Sequence, residues 1–227
     1  MPEKTVVLCT VAMTPELLGD ATPRLKSFAD AGAMVPLGGV TPAVTATVQS
    51  TYLTGRPPSG HGAVGNGWLF KDTMEVRLWQ QSNRLVQAPK VWEAAPGITT
   101  ANLCWWFAMY SSADVTLTPR PMYPADGSKI PDCYTKPGDL RDSLQAELGQ
   151  FPLFKFWGPA ASIDSTQWIA EAAKRVDGRF DPTLTLVYLP HLDYDLQKKG
   201  PALAGIRTQL GELDAIAGDL IDFYEER

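Results

Sequence analysis

The sequence has few of the residues that usually mark metal or disulfide sites. Its 227 residues include two histidines and three cysteines. Cys9, Cys104 and Cys133 are widely spaced, which indicates neither a disulfide framework nor a cysteine metal cluster. Any metal or acid–base chemistry must therefore depend mainly on oxygen ligands and on His61 and His191.

Long apolar runs and excess positive charge are also missing. No stretch approaches the 18 or more apolar residues of a membrane span, so no membrane association is predicted. The formal net charge of −5 argues against a nucleic-acid-binding surface. The first residues resemble a strand and lack the features of a signal peptide, so the expected location is the cytoplasm.

What the sequence does contain is alternation of buried strands and amphipathic helices. With 44% hydrophobic residues the chain can form a substantial core. Continuous apolar or β-branched runs predict strands at Thr5–Val11, Thr99–Cys104 and Leu184–Leu189. Helices are predicted at residues 23–31, 139–148 and 166–176, and from Pro201 onward. The pattern predicts one α/β domain over residues 1–227, with a mostly parallel sheet and helices on both faces.

Three weaker predictions concern the regions between these elements. Met34–Leu37 is predicted to be a short second strand. Glu75–Gln80 and Arg84–Gln87 are predicted to pair as a small β excursion. Residues 108–136, rich in proline, are predicted to form a long ordered loop or an insertion over the site.

The most informative stretch runs from Thr41 to Trp68. It predicts a short helix beginning near Thr45, followed by a glycine- and proline-rich return. A threonine in the first turn is either a simple helix cap or a hydroxyl beside an anion-binding helix end. In the return, His61 is a candidate for hydrogen bonding to loop backbone or for substrate contact. Asn66 is a further candidate for substrate contact.

Two other groups are candidates for the site. Trp105 opens a run of three aromatic residues after a strand, which predicts either core packing or a pocket wall. His191, Asp193 and Asp195 alternate, so an extended backbone would place them on one face. That face would be either a weak metal or acid–base cluster that contacts substrate, or a solvated loop.

The Thr45 segment, with Thr54-Gly55, Pro58 and His61-Gly62, resembles the nucleophile segment of the type I phosphodiesterase/nucleotide pyrophosphatase family. A second match is Tyr188-Leu-Pro-His-Leu-Asp193, which closes with Gly200-Pro201. The resemblance implies an alkaline-phosphatase-like fold, of which this chain is similar to the N-terminal half. It also implies that further sheet, from a C-terminal segment or a partner, completes the fold.

The same resemblance implies two divalent metal ions, usually zinc, and a small phosphorylated substrate or ligand. Thr45 matches the nucleophile and Asp193 matches a metal ligand. Three positions depart from the pattern. Val11 stands where the family has an aspartate, Gln197 where it has a histidine, and Val48 where it often has an asparagine. Gln197 then remains a candidate for substrate contact.

Two functions are therefore expected. The first is a divergent metal-dependent phosphoesterase of the phosphodiesterase type, acting through Thr45. The second is a non-catalytic relative that binds a phosphorylated ligand or a protein. The missing ligands favour the second, whereas the retained Thr45 segment favours the first. Because the resemblance is to hydrolases, the first is the expected function and the second is the alternative.

Overall fold

The computed structural model describes residues 3–227, without the side chain at position 203. Its main sheet has the order β1-β7-β4-β5-β6. The strands are β1 (Thr5–Thr10), β4 (Thr100–Leu103), β5 (Val115–Pro119), β6 (Cys133–Lys136) and β7 (Leu184–Leu189), and a separate hairpin joins β2 (Gly67–Phe70) to β3 (Glu75–Leu78). The first four strands of that order run parallel, and only β6 pairs antiparallel, with β5. The predicted α/β class and mostly parallel sheet are confirmed.

Helices flank this sheet. They are α1 (Pro23–Ala31), α2 (Thr45–Thr54), α3 (Pro58–His61), α4 (Val91–Ala94), α5 (Asp139–Leu148), α6 (Leu153–Phe156), α7 (Ile163–Phe180), α8 (His191–Lys199) and α9 (Leu203–Glu225). Helix α7 begins earlier than predicted because Ser162, at its N-cap, accepts a hydrogen bond from the Asp164 N–H. No helix among residues 3–227 is both long and apolar enough to cross a membrane.

The core lies between the sheet and the long helices. All six residues of β7 are buried, as expected for a strand that is paired on both sides and covered on both faces. Helices α7 and α9 contribute inward stripes to the same cluster, among them Ile169, Val176, Leu210 and Leu213. This packing fixes the carboxyl ends of β4, β5 and β7, where the candidate site lies.

Helix α1 is attached to the core through an acidic residue of α9. Asp214, 4% exposed, accepts hydrogen bonds from the Arg24 N–H (3.1 Å) and the Leu25 N–H (2.8 Å). These are two of the N–H groups in the first turn of α1 that have no partner within the helix. Thr22, the N-cap residue, makes no side-chain cap. Asp214 therefore caps α1 from another helix.

Two predictions about the intervening regions are wrong, and the irregular segment of a third is shorter than predicted. Met34–Leu37 forms no strand, and its apolar side chains are exposed. Glu75–Leu78 pairs with Gly67–Phe70, while Arg84–Gln87 lies in and after a short 3-10 helix. Within residues 108–136, β5 and β6 form a regular pair, so the irregular part is confined to residues 120–132.

Candidate functional site

A cavity of about 600 Å³ opens at the carboxyl ends of β4, β5 and β7. Its wall combines the start of α2, the first turn of α8, and the segments that follow β3, β4 and β5. Thr45 and Asp193, 148 positions apart in the sequence, both line it. The other lining residues are Leu78, Trp79, Gln80, Gln81, Ser82, Trp106, Met109, Tyr110, Pro119, Arg120, Pro121, Tyr123, Lys129, Phe156, Trp157, Tyr188, Pro190 and Tyr194.

Thr45 is the first residue of α2, and the residue that caps this helix comes from another segment. Val44, at the N-cap, has no side chain that can accept a hydrogen bond. Asn66 takes that role, because its Oδ1 accepts the Ala46 N–H at 3.0 Å. The Asn66 amide nitrogen makes no hydrogen bond to any residue that the structure describes. The glycine-rich return thus brings an amide acceptor back to the first turn of α2, at the residue after Thr45.

His61 lies inside the protein and does not line the cavity. Its Nδ1 accepts the Ala63 N–H at 3.1 Å, so in the neutral ring Nε2 carries the hydrogen and donates to the Thr51 hydroxyl at 3.0 Å. Thr51 in turn donates to the Thr47 carbonyl. Of the two roles considered for His61, these contacts fit hydrogen bonding to the loop backbone, because they connect the glycine-rich return to α2.

The pH dependence of stability tests this arrangement. Burial lowers the pKa of His61 from its ordinary value of 6.5. The contribution of the neutral His61 to the free energy of unfolding is therefore complete above pH 6.5 and is lost as the pH falls towards the folded-state pKa. For one proton the loss is at most about 1.4 kcal/mol per pH unit. In urea unfolding, we expect the stability advantage of the wild-type over His61→Gln to shrink between pH 7.5 and pH 5. His191, whose pKa burial also lowers, is present in both proteins and cancels. A constant difference would contradict the prediction.

Tyr188 is a site residue that the sequence analysis missed. It is 4% exposed and lines the cavity near the end of β7. Burial raises its pKa far above the usual range, and the nearby Asp193 carboxylate adds to the shift, while hydrogen bonding with Thr45 opposes it. Tyr188 is therefore a neutral phenol beside Thr45. It can donate a hydrogen bond, but it cannot act as a base near neutral pH.

Residues His191 to Asp195 form the start of helix α8, so the predicted extended alternation is wrong. The spacing of Leu192 and Leu196 explains the helix, because both pack against the core on one face. Within α8, Gln197 donates its amide to Asp193 at 2.9 Å. His191 bonds instead to Glu212 of α9 at 2.9 Å. The three alternating residues therefore do not form one cluster.

The aromatic run after β4 divides between core and cavity. Trp105 is 3% exposed and belongs to the main core cluster. It does not line the cavity. Trp106 does, and its backbone N–H donates to the Gln49 side chain of α2 at 2.7 Å. The pocket wall predicted at Trp105 is provided by the next residue.

The residues present do not fit the two-metal site that the resemblance implies. Residues 3–227 contain no group of three or more His, Cys, Asp or Glu side chains positioned to hold an ion. Among the residues that the structure describes, Asp193 is the only carboxylate that lines the cavity, and it already accepts the Gln197 amide. Structural zinc has four ligands and catalytic zinc at least three from the protein. The described residues of this cavity therefore do not supply the ligands of a zinc site.

The sheet order, with a ligand-sized cavity at the carboxyl ends of parallel strands, defines an open-sheet α/β protein with a ligand site at the edge of its sheet. Solved structures with the same fold support this class. Phosphonoacetate hydrolase from Sinorhizobium meliloti, in complex with phosphonoacetate, matches with a TM-score of 0.67 and 16% identity over 98% of this chain and 54% of that one. An inactive variant of murine ectonucleotide pyrophosphatase/phosphodiesterase 5, in complex with AMP, matches with a TM-score of 0.64 and 15% identity. This match covers 99% of this chain and 53% of that one.

The family model of type I phosphodiesterase/nucleotide pyrophosphatase matches residues 5–227. The chain belongs to this family. It spans about half the length of the solved structures that it matches. No match is found among the curated proteins.

Proposed function

We propose that the cavity binds a small phosphorylated molecule, with its phosphoryl group at Thr45 and the first turn of α2. One observation carries the proposal: a helix N-terminus and two basic side chains meet in one aromatic-walled cavity. The first turn of α2 offers backbone N–H groups and the positive end of the helix dipole. Asn66, which accepts the Ala46 N–H, caps the start of this helix and does not itself line the cavity.

The charges of the cavity favour an anion. Arg120 and Lys129 line it, and neither lies within 4 Å of a carboxylate in the described part of the chain. Asp193 is the opposing charge, so two cations face one anion. Lys129 also lies 5.2 Å from the centre of the Trp157 ring, an arrangement that stabilises the cation without neutralising it. The aromatic walls then suit the organic part of the ligand.

The phosphoesterase function remains a second candidate, favoured by the position of Thr45. As the first residue of α2 in the cavity wall, its hydroxyl would lie beside a bound phosphoryl group, where a nucleophile is required. Metal-dependent hydrolysis through Thr45, which the family implies, needs ligands that this site does not supply. The best-supported function is thus binding of a phosphorylated small molecule.

Calorimetric titration with phenyl phosphate tests the proposal. We expect Thr45→Glu to weaken binding about 10-fold or more, because it places a second negative charge within about 4 Å of the phosphoryl group. Thr45→Ser, which keeps the hydroxyl and the charge, is the matched control and should bind like the wild-type. Equal binding by Thr45→Glu, or no binding of phenyl phosphate by the wild-type at millimolar concentration, would refute the proposed site.

A further inference from the structure

The hairpin of β2 and β3 presents one apolar face to solvent. In its register Leu69 is opposite Val76, and Gly67 is opposite Leu78, so these four residues share a face. The three side chains are 51%, 67% and 63% exposed at Leu69, Val76 and Leu78. A Cβ at Gly67 would lie 2.7 Å from Leu78 Cδ2 and 3.6 Å from Val76 Cγ1. The two side chains therefore lie over the glycine and form a continuous surface.

The opposite face of the hairpin is the one that attaches it to the protein. Trp68 packs edge-on against Phe107, with ring centres 6.1 Å apart, and joins a small buried cluster. On that face the Arg77 guanidinium also covers the Phe70 ring at 5.0 Å. Because this face holds the hairpin in place, the exposed orientation of the Leu69–Val76 face is fixed.

The exposed face continues into the cavity. Leu78 belongs both to this face and to the cavity wall, and Trp79, the next residue, lines the cavity as well. Trp79 is held by its N–H, which donates to the Asn66 carbonyl at 2.9 Å, and by edge-on packing on Trp106 at 5.3 Å. Apolar surface thus leads without interruption from the cavity to the far end of the hairpin.

We propose that this face, defined by Leu69, Val76 and Leu78, binds the hydrocarbon tail of an amphiphilic phosphate ester whose head group occupies the cavity. The inference rests on the proposed function and adds the class of ligand. A tail fits better than a protein partner, because stable protein interfaces need about 20–30 residues on each side. This face offers three apolar side chains in a ribbon two strands wide, about 5 Å between strand axes. Such a ribbon suits one extended alkyl chain.

Alkyl phosphates of increasing length, used below micelle-forming concentrations, test the inference. Full burial of a methylene contributes about 0.8 kcal/mol, or about fourfold in affinity, so half-burial on an open face gives about twofold. Decyl phosphate has six more methylenes than butyl phosphate and should bind about 60-fold more tightly at that value per methylene. In the double variant Leu69→Ser/Val76→Ser we expect most of this chain-length dependence to disappear. Butyl phosphate binding should be unchanged.

The matched control is Val35→Ser/Leu37→Ser, which removes two side chains that are each 73% exposed but do not line the cavity. It should keep the full chain-length dependence. Equal affinity for butyl and decyl phosphate, or equal loss in both double variants, would overturn the inference and leave the proposed function intact. If neither ester binds, the proposed function fails, and this inference fails with it. If Leu69→Ser/Val76→Ser changes the molecular mass in solution and not the chain-length dependence, the face is a protein interface and the inference is wrong.

Discussion

Supplied with zinc or manganese, the purified 227-residue chain is expected to leave an aryl phosphodiester intact, with turnover no higher than in buffer. Two-metal catalysis holds two ions about 4 Å apart with a nearly complete set of protein ligands. Here Val11 and Gln197 stand at two ligand positions, and in the described part of the chain Asp193 alone lines the cavity with a carboxylate. Without an ion the Thr45 hydroxyl stays protonated near neutral pH, and Tyr188 cannot take the proton because burial raises its pKa.

The measurement is release of the aryl alcohol over time, with an active family member as positive control. Binding of phenyl phosphate by the same preparation would show that the protein is folded and that its cavity is accessible. Metal-dependent release that disappears in Thr45→Ala would contradict the prediction. It would mean that Asp193, Asp195 or Gln197 contributes to a metal site of a different composition.

The second large effect is expected on stability, from Asp214→Ala. The substitution removes both acceptors that cap α1 and leaves two N–H groups without partners at a buried position. Hydrogen bonds to a charged group contribute about 1.5–3 kcal/mol each. The contributions of the two hydrogen bonds are not fully additive, so we expect the free energy of unfolding to fall by about 3 kcal/mol. Urea denaturation followed by circular dichroism measures this loss.

Asp222→Ala is the matched control on the same helix. Asp222 also bonds to Arg24, but it is 66% exposed, and the pair lies at the surface, where such contacts contribute little. Little change is expected in this variant. Equal effects of the two substitutions would show that Asp214 acts as a surface charge and not as the cap of α1.

The elements that the sequence predicts best are those with a single strong pattern. Leu184–Leu189 is a strand with the predicted bounds, because every position is buried and every residue suits a parallel strand. The predicted helix at residues 23–31 also has the observed bounds of α1. The strand predicted at Met34–Leu37 does not form, because an apolar run becomes a strand only where another strand can pair with it. The prediction of an extended backbone at His191–Asp195 is wrong. The alternation of these residues fits a strand, but the apolar residues four apart that favour a helix are Leu192 and Leu196, and Leu196 lies outside that range.

The site could be predicted only in part. Resemblance points to Thr45 and Asp193, and the fold brings both to one cavity. Tyr188 is not evident from sequence, because a tyrosine in a buried strand has the pattern of a core residue. Arg120 and Lys129 lie in an irregular segment whose path the sequence does not determine. They reach the cavity because β5 and β6 pair on either side of that segment.

The position of β7 in the sheet has a consequence for how the molecule forms. In the described part of the chain β1 pairs with β7 alone, and β7 separates β1 from β4. During synthesis β1 therefore cannot pair until β7 has been made, more than 170 residues later. Such distant pairings are slow to form. Tyr188 and the start of α8 belong to the same stretch as β7, so the pairing of β1 and the closing of this wall of the cavity depend on one late step.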